Sequence, residues 1–375
     1  MRVILKMSVF TDEQVDQTDL HALFHLGYKK RHWIQTEPEW NPIEPLDTTE
    51  MYEWLQRQDT DLRIAYESVL TSGLVEQETT SASVGVFTVQ VSNVSTPIWD
   101  NKTAILSVSE AVKFLNRPLH LLLENYINDR NFLLAVFFAI ATEEQKKRLE
   151  DCLKKRWIEF ENGCGLGGIL KRVEEILDNK DDQAKHRTWV MFDSDALRLW
   201  YDKLKLGGPS RQSKKLKSLC SENSVYHHQL ERRAIENYLP FKALHTWMNM
   251  RKGSYTRYKK NIKGIPSKKL LDAFKTLSPE QCYHFNMKTG FEGDFKEGDR
   301  ELQLIDGVFG DKERRLVGDF YRNLNEKDKK ALVKGFGEHI AELFKEKQLI
   351  TKERLIEDRQ LSEIEKMLEE ILALV

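Results

Sequence analysis

The segment Thr188-Trp-Val-Met-Phe-Asp193-Ser-Asp195 decides how the chain is read. Five β-branched, aromatic and apolar residues followed at once by two acids have the form of a strand that ends in a polar turn. An apolar strand followed by Asp-x-Asp sets two carboxylates on one side of a turn, close enough to share a hard cation that takes oxygen ligands. The same pattern also occurs at helix N-caps and in solvated turns. Its neighbours therefore have to decide.

Upstream, Leu119-His-Leu-Leu-Leu is a short apolar run ending at Glu124, followed by a buried helix over Asp129 to Ala141. Trp157-Ile-Glu-Phe reads as a second strand, then Gly163-Cys-Gly-Leu-Gly-Gly168 as a turn leading into a helix to about Leu177. Downstream, Ser224 to Leu230 is a fourth strand running into Glu231 to Pro240. Strands alternating with helices predict an α/β domain with a mainly parallel sheet and flanking helices. In such a sheet ligands gather outside the carboxyl ends of the strands, where Glu124, Asp193 and Asp195 fall. A third carboxylate from a neighbouring strand completes an expected site for one or two Mg²⁺ or Mn²⁺ ions. The glycine run lacks the Lys-Ser/Thr of a phosphate-binding P-loop and its spacing. It reads as a tight turn joining strand to helix.

The order Leu-Leu-Leu-Glu124, Gly167-Gly168, Val190-Met-Phe-Asp193-Ser-Asp195 and Arg232-Arg-Ala-Ile-Glu236-Asn-Tyr-Leu resembles the TOPRIM (Rossmann-like) fold of OLD-family (overcoming lysogenization defect) nucleases. It also resembles stand-alone relatives in anti-phage defence, such as the nuclease subunit of PARIS-type systems. The resemblance covers Leu119 to Leu239, about a third of the chain, with a further element at Lys288. It implies a divalent-metal-dependent endonuclease in which Glu124, Asp193 and Asp195 hold the metal. Glu236 adds a metal-linked carboxylate and Lys288 a catalytic cation. Asp129 fits a further acid of the family, at five residues from Glu124 where four is usual. Full-length OLD proteins carry an ATPase; this chain shows none, so energy coupling would need a separate ATPase partner. The scattered cysteines Cys152, Cys164, Cys220 and Cys282 exclude the zinc module of a primase relative. Little of the chain is left for the strand-gating region of a topoisomerase. The alternative to cleavage is a nucleic-acid-binding or regulatory subunit whose TOPRIM-like domain does no cutting.

Three regions are expected: an accessory or partner-docking domain over 1–112, the catalytic domain over 113–240 and a mainly helical region over 241–375. In the first, a helix is expected over Thr48 to Leu70 and a strand near Val84 to Val91, with no chemistry; His21 and His25 read as structural. In the last, helices are expected over Ser267 to Thr276, Asn325 to Glu346 and Leu361 to Leu374, and a loop over Cys282 to Arg300 with His284 as a loop histidine. The apolar stripe of Leu361 to Leu374 suits either internal packing or a homo-oligomer.

A net charge of −1 hides two basic runs. Lys203 to Lys217, including Arg211, Lys214 and Lys215, and Lys242 to Lys269, including Arg251, Lys252, Arg257, Lys259 and Lys260, predict contact with DNA or RNA, the longer run being interleaved with Trp247, Tyr255 and Tyr258. Apolar content of 40%, with no run near 20 apolar residues, predicts neither a membrane span nor disorder. The N-terminus lacks an export signal, so a cytoplasmic protein is expected.

Overall fold

The structure, a computed structural model, describes residues 1–37, 39–40, 50–79, 87–196, 209–249, 268–277, 279–290, 326–358 and 361–375. Two sheets organise them. The first contains β1 (Arg2–Lys6), β2 (Trp33–Glu37), β3 (Thr88–Val91), β4 (Ile98–Trp99) and β5 (Thr103–Leu106) in the order β2-β1-β3-β5-β4. All pairs are parallel except β4 with β5. The register aligns Val3 with Val89 and Ala104, and Leu5 with Val91 and Leu106. These six side chains are fully buried at a spacing of two, as a sheet face requires.

Helices α1 (Ser8–Thr11), α2 (Gln17–Tyr28), α3 (Glu50–Gln56), α4 (Thr60–Thr79) and α5 (Val108–Asn116) accompany this sheet. The region expected to be mixed thus carries an α/β sheet of its own, whose core is continuous with that of the second sheet. The single helix expected over Thr48 to Leu70 is two, because the Asp59 side chain accepts the Leu62 N–H at 3.0 Å and starts a new helix there. The strand expected near Val84 occupies Thr88–Val91; residues 80–86 lie outside the described residues. Helix α5 runs across residue 112 and packs on α2, β3 and β5. His21 bonds the Tyr66 hydroxyl at 2.6 Å within this region.

The second sheet contains β6 (Leu119–Leu123), β7 (Ile158–Asn162), β8 (Thr188–Phe192) and β9 (Tyr226–Gln229), all parallel, in the order β7-β6-β8-β9. Between them run α6 (Tyr126–Ile140), α7 (Glu143–Lys154), α8 (Leu166–Asp178), α9 (Asp182–His186) and α10 (Arg211–Glu222). Leu122, Val190 and Phe192 pack with residues of α8 and α10 in one core. Leu121, Leu123, Trp189 and Met191 join a larger core with α6 and the C-terminal helix. Helix α6 buries Phe132, Leu133, Ala135, Val136 and Phe137. An element apolar nearly all round needs this double cover.

The C-terminal region is helical at Phe241–Asn249, Lys268–Lys275, Pro279–His284, Glu326–Leu332, Lys352–Glu357 and Leu361–Leu374. Two expectations are corrected. The loop expected from Cys282 begins with the end of the helix Pro279–His284. The helix expected over Asn325 to Glu346 breaks after Leu332 and resumes as a 3-10 helix at Ile340–Lys345. Gly335 and Gly337 stand between them at φ +58° and +98°, a left-handed backbone that ends a helix. The helix Leu361–Leu374 buries Ile364, Met367, Leu368 and Ile371 internally, against α6. Among the described residues no helix is long and apolar enough to cross a membrane.

Candidate functional site

From β6 the chain steps to one side to form β7, and from β8 it steps to the other side to form β9. The connections after the two central strands therefore diverge and leave a crevice at their carboxyl ends. Glu124 follows β6 by one residue and Asp193 follows β8 by one residue. The Asp193 backbone N–H donates to Glu124 Oε2 across the crevice at 3.4 Å.

Local structure sets the remaining groups. Asn125 caps α6 by accepting the Asn128 N–H, and the Asn125 N–H donates to Asp129 Oδ2 at 2.8 Å. That bond draws Asp129, only 4% exposed, back over the helix start. The acid is thereby brought beside Glu124 despite its spacing of five. The Asp-Ser-Asp turn is fastened to the segment after β9: Ser194 Oγ donates to the Arg232 carbonyl at 2.7 Å and the Asp195 N–H donates to the Arg233 carbonyl at 2.9 Å. Asp195 itself has φ +50°, a conformation aspartate tolerates better than most residues.

The Glu236-Asn-Tyr segment forms a 3-10 turn, Ile235–Tyr238, whose three polar residues reach three different places. Glu236, 1% exposed, faces the Lys288 ammonium at 3.1 Å; the pair is ionic, and Oε1 has no well-aligned hydrogen bond. Asn237 Nδ2 donates to the carbonyls of Cys282 and Phe285, which holds the strap leading to Lys288. The Tyr238 hydroxyl donates to Glu363, which also accepts from His228 and from the Glu231 N–H. Lys288 is buttressed a second time, because its carbonyl and that of Met287 accept the N–H groups of Gly337 and Phe336. The glycine turn that breaks the expected helix is what supports the lysine.

Burial and mutual repulsion favour the protonated forms of Glu124, Asp129 and Asp193. Glu124 is pushed up to about 7 by burial, then by the charges of Asp195 and Asp129. Asp129 rises to about 7 through burial, opposed by its Asn125 hydrogen bond and reinforced by Glu236. Asp193 is raised well above its ordinary value, by burial and then by Glu124, Glu236, Asp129 and Asp195 together. Burial alone would lower Lys288, but Glu236 and Asp193 outweigh it and hold the ammonium charged well above its ordinary range. The five carboxyls thus lie within one another's electric field. Oxygen-only donors with surplus negative charge fit a hard divalent cation better than zinc or copper. Among the described residues no group of three or more acidic, histidine or cysteine side chains stands close enough together to hold a metal ion.

Two clefts meet at this cluster, sharing Asp193, Glu236 and Lys288. The larger, about 960 Å³, is lined by Asp195, Ser210, Arg211, Gln212, Lys215, Arg233, Asn286 and Glu338 among others. The smaller, about 530 Å³, is lined by Glu124, Asn125, Tyr126, Ile127, Asn128, Asp129, Asn162 and Cys164. Of the basic residues expected to meet nucleic acid, Lys215 lines the larger cleft, while Lys214 is exposed on α10 and does not. Arg251, Lys252, Arg257, Lys259 and Lys260 lie outside the described residues. Arg211, which belongs to the basic run Lys203 to Lys217, lines the larger cleft one helical turn before Lys215. Arg233 was not singled out by sequence. His284 is half-buried and its carbonyl accepts from Arg233; burial holds its imidazole down at about 4.

The turn before α8 serves packing. A Cβ on Gly168 would come within 1.8 Å of the Gly163 carbonyl oxygen, so strand end and helix start touch backbone to backbone. The architecture and site define an α/β protein with a carboxylate cluster at the switch point of a four-stranded parallel sheet. Comparison with protein-family models, curated proteins and solved structures finds no match to the chain.

Proposed function

We propose that the chain is a TOPRIM-type, metal-dependent phosphodiesterase acting on DNA or RNA. The observation that carries this reading is the convergence of Glu124, Asp129, Asp193, Asp195 and Glu236 beside Lys288, where two clefts meet. Glu124, Asp193, Asp195 and Glu236 would hold one or two Mg²⁺ or Mn²⁺ ions, with Asp129 behind them. When bound, such ions supply Lewis-acid activation of water and neutralise phosphate charge.

The protein's own groups do the rest. Arg211, Lys215, which also pairs with Glu174 at 3.3 Å, and Arg233 are the cations of the larger cleft that would contact phosphates. Lys288, anchored on both sides of its strap, presents an ammonium to the charge that develops on the scissile phosphate. Asp129 holds the start of α6 and so fixes where Glu124 stands. The likeness of these motifs to OLD-family and PARIS-type nucleases extends the proposal to an anti-phage effector working in the cytoplasm with a separate ATPase.

The second reading is a binding or regulatory subunit that does not cut. One observation favours it: among the described residues no three carboxylates stand close enough together to hold a metal ion. Incubation of purified protein with plasmid and with tRNA separates the two. Cleavage that needs Mn²⁺ or Mg²⁺, stops with EDTA and is lost in Asp193→Ala is expected for the phosphodiesterase. Salt-dependent binding with no cleavage under any divalent metal would establish the other.

A further inference from the structure

The two clefts differ in chemistry. The larger sets Arg211, Lys215, Arg233 and the shared Lys288 against Asp193, Asp195, Glu236 and Glu338, whereas the smaller has Lys288 as its only lining cation among the described residues, against Glu124, Asp129, Asp193 and Glu236. A phosphate entering the smaller cleft would meet net negative charge. The outer lip of that cleft carries Tyr126 and Ile127, 39% and 60% exposed, on the first turn of α6, where the rest of the helix buries its apolar residues. Asn125, Asn128 and Asn162 lie beside them. A flat aromatic face, an aliphatic side chain and amides that both donate and accept suit a neutral, planar ring with a hydrogen-bonding edge.

Resting on the phosphodiesterase reading, we propose that the smaller cleft receives an unpaired nucleobase next to the scissile phosphate, stacked on Tyr126 and flanked by Ile127. The backbone on the other side of the cut lies along Arg211, Lys215 and Arg233. The preferred substrate is therefore single-stranded nucleic acid, or a duplex with an unpaired nucleotide at the cut. A fully paired strand keeps its bases in the stack and cannot fill this cleft without extruding one.

The test is equilibrium binding of the full chain in EDTA, where nothing is cut. The probes are fluorescein-labelled oligo(dT), oligo(rU), an abasic strand of the same length and a blunt duplex. Wild-type protein should bind oligo(dT) or oligo(rU) more tightly than the abasic strand or the duplex. Tyr126→Ala should weaken binding of the base-bearing strands about tenfold, about 1.4 kcal/mol and within the range for one stacked base. It should leave the abasic strand unchanged, which also shows that the variant is folded, and Tyr126→Phe should bind as wild type. Arg211→Ala with Lys215→Ala should weaken all probes alike. Equal binding of abasic and base-bearing strands by the wild type, an unchanged Tyr126→Ala, or no binding of any probe would overturn the proposal. Tyr126-dependent binding without metal-dependent cleavage would uphold this site and remove the hydrolase. Cleavage without Tyr126 dependence would do the reverse.

Discussion

Replacing Glu124 by Gln should make the metal-free protein more stable at alkaline pH. The carboxyl is raised from 4.5 to about 7, first by burial and then by Asp195 and Asp129. At about 1.4 kcal/mol per pH unit, ionising it in the fold costs roughly 3 kcal/mol more than in the unfolded chain. A raised carboxyl binds more protons folded than unfolded between pH 4.5 and about 7, so this cost is absent below pH 4.5 and complete above about pH 7. Neutralising Glu124 also weakens the field on Asp193, while Gln keeps an oxygen to accept the Asp193 N–H. The expected gain at pH 8 is up to about 3 kcal/mol, or roughly 3–6 °C in Tm for a chain of this size. Thermal denaturation in EDTA at pH 5 and pH 8 reads it. The variants should differ little at pH 5, and Mn²⁺ should raise the Tm of the wild type much more than that of Glu124→Gln. A Glu124→Gln protein less stable than wild type at pH 8 in EDTA would refute the reasoning.

Other substitutions probe separate links. Lys288→Ala should slow metal-dependent cleavage about 100-fold and cost about 1–3 kcal/mol in denaturant unfolding, because Glu236 would be left buried without its cation. Glu363→Gln should cost about 2–4 kcal/mol, since the carboxylate accepts from His228, Tyr238 and the Glu231 N–H at once. Burial opposes its ionisation, but those bonds hold its pKa below the ordinary 4.5. Its stabilisation is therefore present above pH 4.5 and lost as pH falls through the lowered value; urea titrations across pH 3 to 6 should show a shallower acid dependence in the variant. Gly168→Ala should destabilise by about 1–3 kcal/mol or more through its clash with the Gly163 carbonyl. Gly167→Ala, which meets only the end of the Gln212 side chain, should be nearly neutral by the same measurement.

The centre of the second sheet was legible because β6 and β8 are mostly apolar runs, each ending abruptly in an acid. Thr188–Phe192 and Leu119–Leu123 have the expected bounds, and the acids expected after them share one crevice. The first sheet was not legible beyond β3: its strands are two to five residues long, and only pairing across long separations gives them stability. Asn325 to Glu346 reads as a helix by apolar periodicity, which is blind to the backbone that Gly335 and Gly337 adopt when they pack under Lys288. Glu363 illustrates a different limit. Nothing local marks it, yet it lies 125 residues from Tyr238 and closes the network behind Glu236. Arg233 was passed over because it reads as part of the Arg-x-x-Glu-Asn-Tyr motif, and only the fold shows that it lines the larger cleft.

The account depends on the carboxylates closing on a divalent ion. Anomalous diffraction from crystals soaked in Mn²⁺ tests this directly. The account predicts a peak bonded at about 2.1 Å to oxygens of Glu124 and Asp193, lost in Asp193→Asn. Manganese bound elsewhere, or no peak at saturating metal with the crevice open to solvent, would contradict it.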